Sequence, residues 1–138
     1  MPNGIDLILA DHAAVNELFT RFDATGDATI IGQVIDALTA HDTAEHVALY
    51  PFTGNLLGDK KMIERVAGAH SAVKRQIDLL ASLEGQPLVD AFAELRKLVT
   101  AHVADEEKNI LPKLTAAATP QELEELGARV LHAKARGG

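Results

Sequence analysis

The chain has 138 residues, of which 47% are hydrophobic but only 4% aromatic, and its formal net charge at pH 7 is −7. This length suits one domain, residues 1–138, and a core of aliphatic side chains favours packed helices over sheets. The acidic balance argues against binding nucleic acid, and no stretch approaches the roughly 20 apolar residues of a membrane span. The absence of cysteine excludes disulfides and thiolate metal sites. We therefore expect a cytoplasmic protein in which any metal has nitrogen and oxygen ligands.

Apolar residues recur at helical spacing in four long segments, and a histidine interrupts each of the four apolar stripes. The segments are residues 5–22, 30–49, 63–80 and 92–110. The interrupting residues, in chain order, are His12, His41 with Glu45, His70, and His102 with Glu106. All four helices are therefore predicted to carry a histidine on the face that is turned towards the core.

Capping and breaking residues separate these segments. The predicted N-caps are Asp6, Asp27 and Asp59, and the predicted connections lie at Gly26, at Pro51 with Gly54, and at Gly85 with Pro87. Short connections imply antiparallel neighbours, so we expect an all-α, up-down-up-down four-helix bundle. A capping box at Thr119 to Glu122 predicts a short fifth helix, about residues 120–135.

The two halves of the chain repeat one design. A shift of 58 residues places His12 on His70, and a shift of 61 places His41, Glu45 and Pro51 on His102, Glu106 and Pro112. The repeat defines two helix pairs, residues 5–51 and 63–112. Two such pairs, related by an approximate two-fold axis, would bring both sets of polar residues to one level of the core.

A single histidine on an apolar stripe is more often a hydrogen-bonded core residue than a metal ligand. Two buried carboxylates without a cation, however, would each cost several kcal/mol. The predicted metal ligands are therefore His12, His41, Glu45, His70, His102 and Glu106. Two imidazoles and one carboxylate per metal suit non-haem iron, with manganese as an alternative, and nothing in the pattern requires the tetrahedron of zinc.

At these six residues the chain resembles the hemerythrin-like family of histidine–histidine–glutamate cation-binding domains. The resemblance covers residues 5 to 112 and includes the pattern His-x-x-x-Glu in the second and fourth helices. It implies a hemerythrin-like bundle and two iron ions joined by oxo and carboxylate bridges. The small ligand that it implies is dioxygen, peroxide or nitric oxide.

The chain departs from the oxygen-carrying members of that family at two positions. Lys74 stands where those carriers have a further histidine ligand, and Glu107 stands at their spacing for the last carboxylate. Either Glu106 or Glu107 is therefore the ligand, and we prefer Glu106 because it mirrors Glu45. Tyr50 is interpreted as a packing residue at the edge of the core, with an auxiliary contact to the metals as the alternative. His46 and His132 are predicted to lie on the surface.

Two functions fit this pattern of residues. The missing histidine leaves an open position on each iron, which favours peroxide decomposition in the manner of a non-haem catalase or peroxidase. The alternative is reversible binding or sensing of dioxygen or nitric oxide, or storage of iron, without turnover. The physiological substrate, any electron donor and the oligomeric state are left open.

Overall fold

The computed structural model describes residues 2–137, and this part of the chain is helical with no strand. The α-helices are α1 Gly4–Thr25, α2 Thr29–Ala44, α3 Tyr50–Leu57, α4 Lys60–Leu80, α5 Gly85–Asp105, α6 Leu111–Ala117 and α7 Pro120–Gly137. Among these described helices, none has a stretch apolar enough to cross a membrane. The predicted all-α four-helix bundle with a fifth, C-terminal helix is confirmed.

Two of the long helices contain a π-helical turn, and both turns begin at a predicted ligand. The turn Glu45–Leu49 joins α2 to α3, and the turn Glu106–Ile110 joins α5 to α6. Each turn is therefore part of one continuous helix. The two turns are 61 residues apart, so the internal repeat of the sequence is also a repeat of this uncommon backbone. Single π turns inside α-helices are frequent at functional sites.

The core consists of two apolar clusters in which α1 packs on α2 and α4 packs on α5. The first cluster includes Ile8, Leu49, Val66 and Ile110 from the bundle, and α7 completes it with Leu123, Leu126 and Val130. The second includes Val15, Phe19, Val34, Leu38, Phe92, Leu95 and Val99. A layer of buried histidine and glutamate side chains lies between the two clusters.

Helix α7 packs closely against α1 and α2. A Cβ atom added to Gly127 would stand only 2.0 Å from the carbonyl oxygen of Pro2, so only glycine allows this approach. The fifth helix therefore lies against one of the helix pairs of the bundle, α1 and α2.

The prediction that Pro51 and Gly54 mark a connection was wrong, because both lie within α3. Pro51 is tolerated there because it follows the π turn, where the regular series of α-helical backbone hydrogen bonds is interrupted. The second connection is at Gly58, which ends α3 with a positive φ of 66°. The third connection lies just before Gly85, so Pro87 belongs to the first turn of α5.

The predicted N-caps have mixed outcomes. Asp59 caps α4 by accepting a hydrogen bond from the backbone N–H of Met62, as predicted. Asp6 does not cap α1, because the helix starts two residues earlier and the side chain of Asn3 accepts from the N–H of Ile5. Gly26 ends α1 with a φ of 65°, in agreement with the predicted first connection.

Candidate metal centre

The structure brings the six predicted ligands together in the layer between the two apolar clusters. Glu45 and Glu106 are fully buried, and the four histidines are each at most 7% exposed. They form two overlapping groups, one of His12, His41, Glu45 and Glu106 and the other of His70, His102, Glu45 and Glu106. We call these groups half-site 1 and half-site 2. Within each group the ligand atoms lie within 4.8 Å of one another.

Half-site 1 has four buried ligand atoms that lack a hydrogen-bond partner. They are Nε2 of His12, Nε2 of His41, Oε2 of Glu45 and Oε1 of Glu106. Nε2 of His12 lies 3.2 Å from Oε1 of Glu106, and Nε2 of His41 lies 3.2 Å from Oε2 of Glu45. Neither contact has the geometry of a hydrogen bond. Buried polar atoms are rarely left unpaired, so four of them around one point fit a bound cation.

In half-site 2 the hydroxyl of Tyr50 lies among the corresponding atoms. It is 2.7 Å from Nε2 of His70, 3.4 Å from Nε2 of His102, 3.1 Å from Oε1 of Glu45 and 3.2 Å from Oε2 of Glu106. The interpretation of Tyr50 as a packing residue at the core edge was therefore wrong. Its side chain is buried, and its hydroxyl occupies the middle of the half-site.

Each glutamate turns one carboxylate oxygen towards each half-site. Glu45 directs Oε2 to His41 and Oε1 to His70, and Glu106 directs Oε1 to His12 and Oε2 to His102. This is the arrangement that two bridging carboxylates need, since a bridge requires one oxygen on each metal. The two half-sites share their acidic ligands and differ in their histidines.

Three of the histidines have a carboxylate partner on the ring nitrogen that faces away from the centre. Nδ1 of His12 is 2.7 Å from Glu107, and Nδ1 of His41 is 2.9 Å from Asp11. Nδ1 of His70 pairs with Asp42. Such outer partners fix the ring and direct Nε2 at the metal. By contrast, Nδ1 of His102 is buried without a partner.

The burial of the side chains bears on the residues whose roles the sequence left open. Glu106 is fully buried in the centre, whereas the Glu107 side chain is 39% exposed and contacts His12 from outside. Lys74 is exposed and contributes nothing to the centre. His46 and His132 are exposed as predicted, although the His46 ring packs edge-on against those of Tyr50 and His70.

When no metal is bound, the charges in the centre raise the pKa values of two histidines and of Tyr50. Burial alone would lower the pKa of His41, but the charge of Glu45 and the hydrogen bond to Asp11 raise it to about 10. Burial is likewise outweighed at His102, where Glu106 and Glu45 raise the pKa to about 9. Burial and the two glutamate charges also raise the pKa of Tyr50, so its hydroxyl keeps its proton.

These shifts predict how the metal-free protein responds to pH. The folded-state pKa values of His41 and His102 lie above the unfolded value of about 6.5, so protonation stabilises the fold. This stabilisation is complete below about pH 6.5. It is lost as the pH rises through about 9 and about 10. We expect the unfolding free energy of chelator-treated protein, measured with urea, to fall from about pH 6.5 to about pH 10.

The metal-loaded protein is the control for that titration, because its imidazoles are bound as neutral ligands and have no proton to lose. We expect its urea midpoint to change less over the same range. If the metal-free and the metal-loaded protein lost equal stability as the pH rises, the stabilising protons would not be those of His41 and His102.

A small cavity of about 30 Å³ lies beside the four histidines. Asp42 also lines it, and its remaining walls are apolar, formed by Val15, Leu38, Val73, Val99 and Val103. The glutamates and Tyr50 do not line it, so they act from another side of the centre. This cavity has room for a molecule about the size of one or two waters.

Comparisons with known proteins agree with this geometry. The sequence profile of the Hemerythrin HHE cation binding domain family matches residues 3–127. A crystal structure of a hemerythrin HHE cation binding domain-containing protein from Mycobacterium kansasii superposes with a TM-score of 0.80 at 18% identity, covering 99% of this chain and 90% of the other. That likeness supports the fold alone.

A curated relative, a DNA nickase from Nostoc sp. (strain PCC 7120 / SAG 25.82 / UTEX 2576), is 27% identical over 137 residues. The match covers 95% of this chain but only 39% of the relative, so the relative's activity belongs to a much longer protein. The family match extends over most of the chain and includes all six clustered residues. The chain belongs to the hemerythrin HHE cation-binding domain family.

Proposed function

We propose that each half-site binds one iron ion and that the protein decomposes hydrogen peroxide at this pair. The observation that carries the proposal is the set of eight converging atoms, four nitrogens and four oxygens, supplied by only six residues. Mixed imidazole and carboxylate ligands suit iron, and paired metals with shared carboxylates are a common arrangement. When bound, such a pair supplies Lewis-acid and redox chemistry to a peroxide.

The side chains of the centre have distinct roles in this proposal. His12 and His41 hold the first metal, His70 and His102 hold the second, and the two glutamates bridge them. Burial would raise the pKa of Glu45, but the charge of His41 and hydrogen bonds lower it well below its usual value. Glu45 is therefore ionised at neutral pH and able to bind metal without first losing a proton.

The apolar cavity beside the histidines selects for small substrates. At about 30 Å³ it has room for a peroxide or a diatomic molecule. Its valine and leucine walls also keep bulk water from the metals, which limits unproductive side reactions. The size and polarity of this cavity therefore support a small and uncharged ligand.

Tyr50 favours turnover over reversible binding. Its hydroxyl is protonated and lies within 3.4 Å of four ligand atoms of half-site 2. Cleavage of an O–O bond produces oxygen atoms that need protons, and a positioned hydroxyl supplies one.

The second candidate function is reversible binding or sensing of dioxygen or nitric oxide. The observation in its favour is the same apolar cavity, which suits a neutral diatomic molecule. An oxygen-electrode assay on iron-loaded protein separates the two functions, together with metal analysis and visible spectra. We expect two irons per chain and release of oxygen from peroxide.

His70→Ala should abolish this activity, whereas His132→Ala makes the same change at an exposed histidine outside the centre and should not. No oxygen release, combined with a stable and reversible dioxygen complex, would leave the carrier function instead. One metal per chain, or a preference for zinc over iron, would overturn the proposal itself. That this chain does not bind nucleic acid remains a prediction based on its net charge of −7.

A further inference from the structure

We propose that the two half-sites are unequal, so that half-site 1 fills first and holds its metal tightly while half-site 2 exchanges its metal. This inference rests on the proposed function in one respect, namely that the centre binds two metals. It adds that the pair is complete only when metal is plentiful. The internal repeat makes the two half-sites directly comparable, and three differences between them point the same way.

The first difference is in the outer partners of the histidines. In half-site 1 both histidines have one, since His12 pairs with Glu107 and His41 with Asp11. In half-site 2 only His70 has one, and Nδ1 of His102 is unpartnered. Loss of such a partner typically weakens metal binding about 10- to 100-fold.

The repeat explains why His102 lacks this partner. Shifting Asp11 by the 58 residues that relate α1 to α4 leads to Ala69, the residue just before His70. Both Asp11 and Ala69 are partly buried. The methyl group of Ala69 has no oxygen to offer the imidazole of His102.

The second difference is the support given by α7. Lys134 on this helix pairs with Asp11, which in turn pairs with His41. Helix α7 packs on α1 and α2 and so supports half-site 1, without making comparable contacts to α4 or α5 within the described chain.

The third difference is Tyr50. Its hydroxyl lies among the ligand atoms of half-site 2, whereas the repeat places the buried Leu111 at the corresponding position of the other half. A metal that enters half-site 2 must displace the hydrogen bonds of this hydroxyl. Half-site 1 has no side-chain hydroxyl among its ligand atoms, and its four ligand atoms lack a hydrogen-bond partner.

The inequality has a consequence for the function. When free metal lies between the two dissociation constants, most chains hold one metal in half-site 1 and lack the pair. Peroxide chemistry that needs both metals then switches on only as the second half-site fills. The centre would thereby couple its activity to the supply of metal.

Manganese(II) titration of metal-free, full-length protein tests this inference without any peroxide. An isolated manganese ion and a coupled pair have different electron paramagnetic resonance spectra. We expect the uncoupled signal to grow over the first equivalent and the coupled signal over the second, with dissociation constants that differ at least about 10-fold. Equal constants, with the coupled signal present from the start, would overturn the inference and leave the two-metal function intact. Binding of only one manganese per chain would overturn both.

Variants identify the cause. Ala69→Asp should tighten binding of the second metal by about 10- to 100-fold and leave binding of the first unchanged. The control Ser71→Asp adds the same charge to the exposed face of α4 and should change neither binding step. Asp11→Ala should weaken the first step by a similar factor. Tyr50→Phe should tighten the second step by removing the competing hydroxyl. A gain from Ser71→Asp equal to that from Ala69→Asp would reduce the effect to general charge and contradict the proposal.

Discussion

Replacing Glu45 with glutamine is expected to abolish binding of both metals, although the side chain keeps its size. Each oxygen of Glu45 serves a different half-site, so one substitution removes a ligand from both. An amide oxygen is neutral, and an amide nitrogen cannot bind a cation at all. Removing an outer partner of a metal ligand already weakens binding about 10- to 100-fold, so we expect the loss of this bridge to exceed about 100-fold.

Metal analysis after dialysis against a weak chelator measures this effect. Glu124→Gln is the matched control because it makes the same change on the exposed face of α7, and it should retain two metals. Glu107→Gln should give an intermediate result, because its oxygen still accepts from His12 but without the charge. Two tightly bound metals in Glu45→Gln would show that this residue is not the bridge.

The histidines and glutamates of the centre were predictable because helical periodicity alone decides which side chains face the core. His12 and His70 occur at positions where an apolar residue is expected, and the structure buries both. The carboxylate was assigned to Glu106 over Glu107 by the mirror relation to Glu45, and burial agrees with that choice. These inferences need only the direction of each side chain relative to its own helix.

The position of Tyr50 was not predictable from α-helical geometry. Five residues separate it from Glu45, and in an α-helix this spacing turns a side chain well away from its starting direction. In the observed π turn the N–H of Tyr50 bonds to the carbonyl of Glu45, so five residues complete one turn and the two side chains share a face. No sequence signal in residues 45–49 indicates a π turn. The prediction for Tyr50 was therefore wrong because it assumed a regular α-helix at this point.

The outer carboxylates were also beyond the reach of the sequence. Asp11, Asp42 and Glu107 each follow or precede a ligand by one residue, which in isolation marks a solvent-facing position. Each of them contacts a histidine on a different helix. Such pairs depend on how neighbouring helices are rotated against each other, and that rotation is set by the packing of the whole core.

Replacing Tyr50 with phenylalanine is expected to slow peroxide decomposition by about 100-fold while both metals remain bound. The substitution keeps the ring that packs in the core and removes only the hydroxyl among the ligands of half-site 2. A positioned proton donor contributes a factor of this size, and burial with the charges of Glu45 and Glu106 raises the pKa of Tyr50 in the metal-free protein, so that the hydroxyl carries a proton there. The loss should appear in kcat, since the hydroxyl does not line the apolar cavity where the substrate enters.

The control for this variant is His46→Ala, which removes a ring that packs edge-on against Tyr50 with centroids 5.6 Å apart. His46 is exposed and belongs to neither half-site, and its Nε2 lies 3.5 Å from Asp42, the outer partner of His70. We expect its loss to change the rate less than about 3-fold. Metal content and melting temperature must be measured for both variants, so that a lost metal is not mistaken for a lost proton. An unchanged kcat in Tyr50→Phe with two metals bound would assign the proton to another group, and the case for turnover over reversible binding would then lose its main structural support.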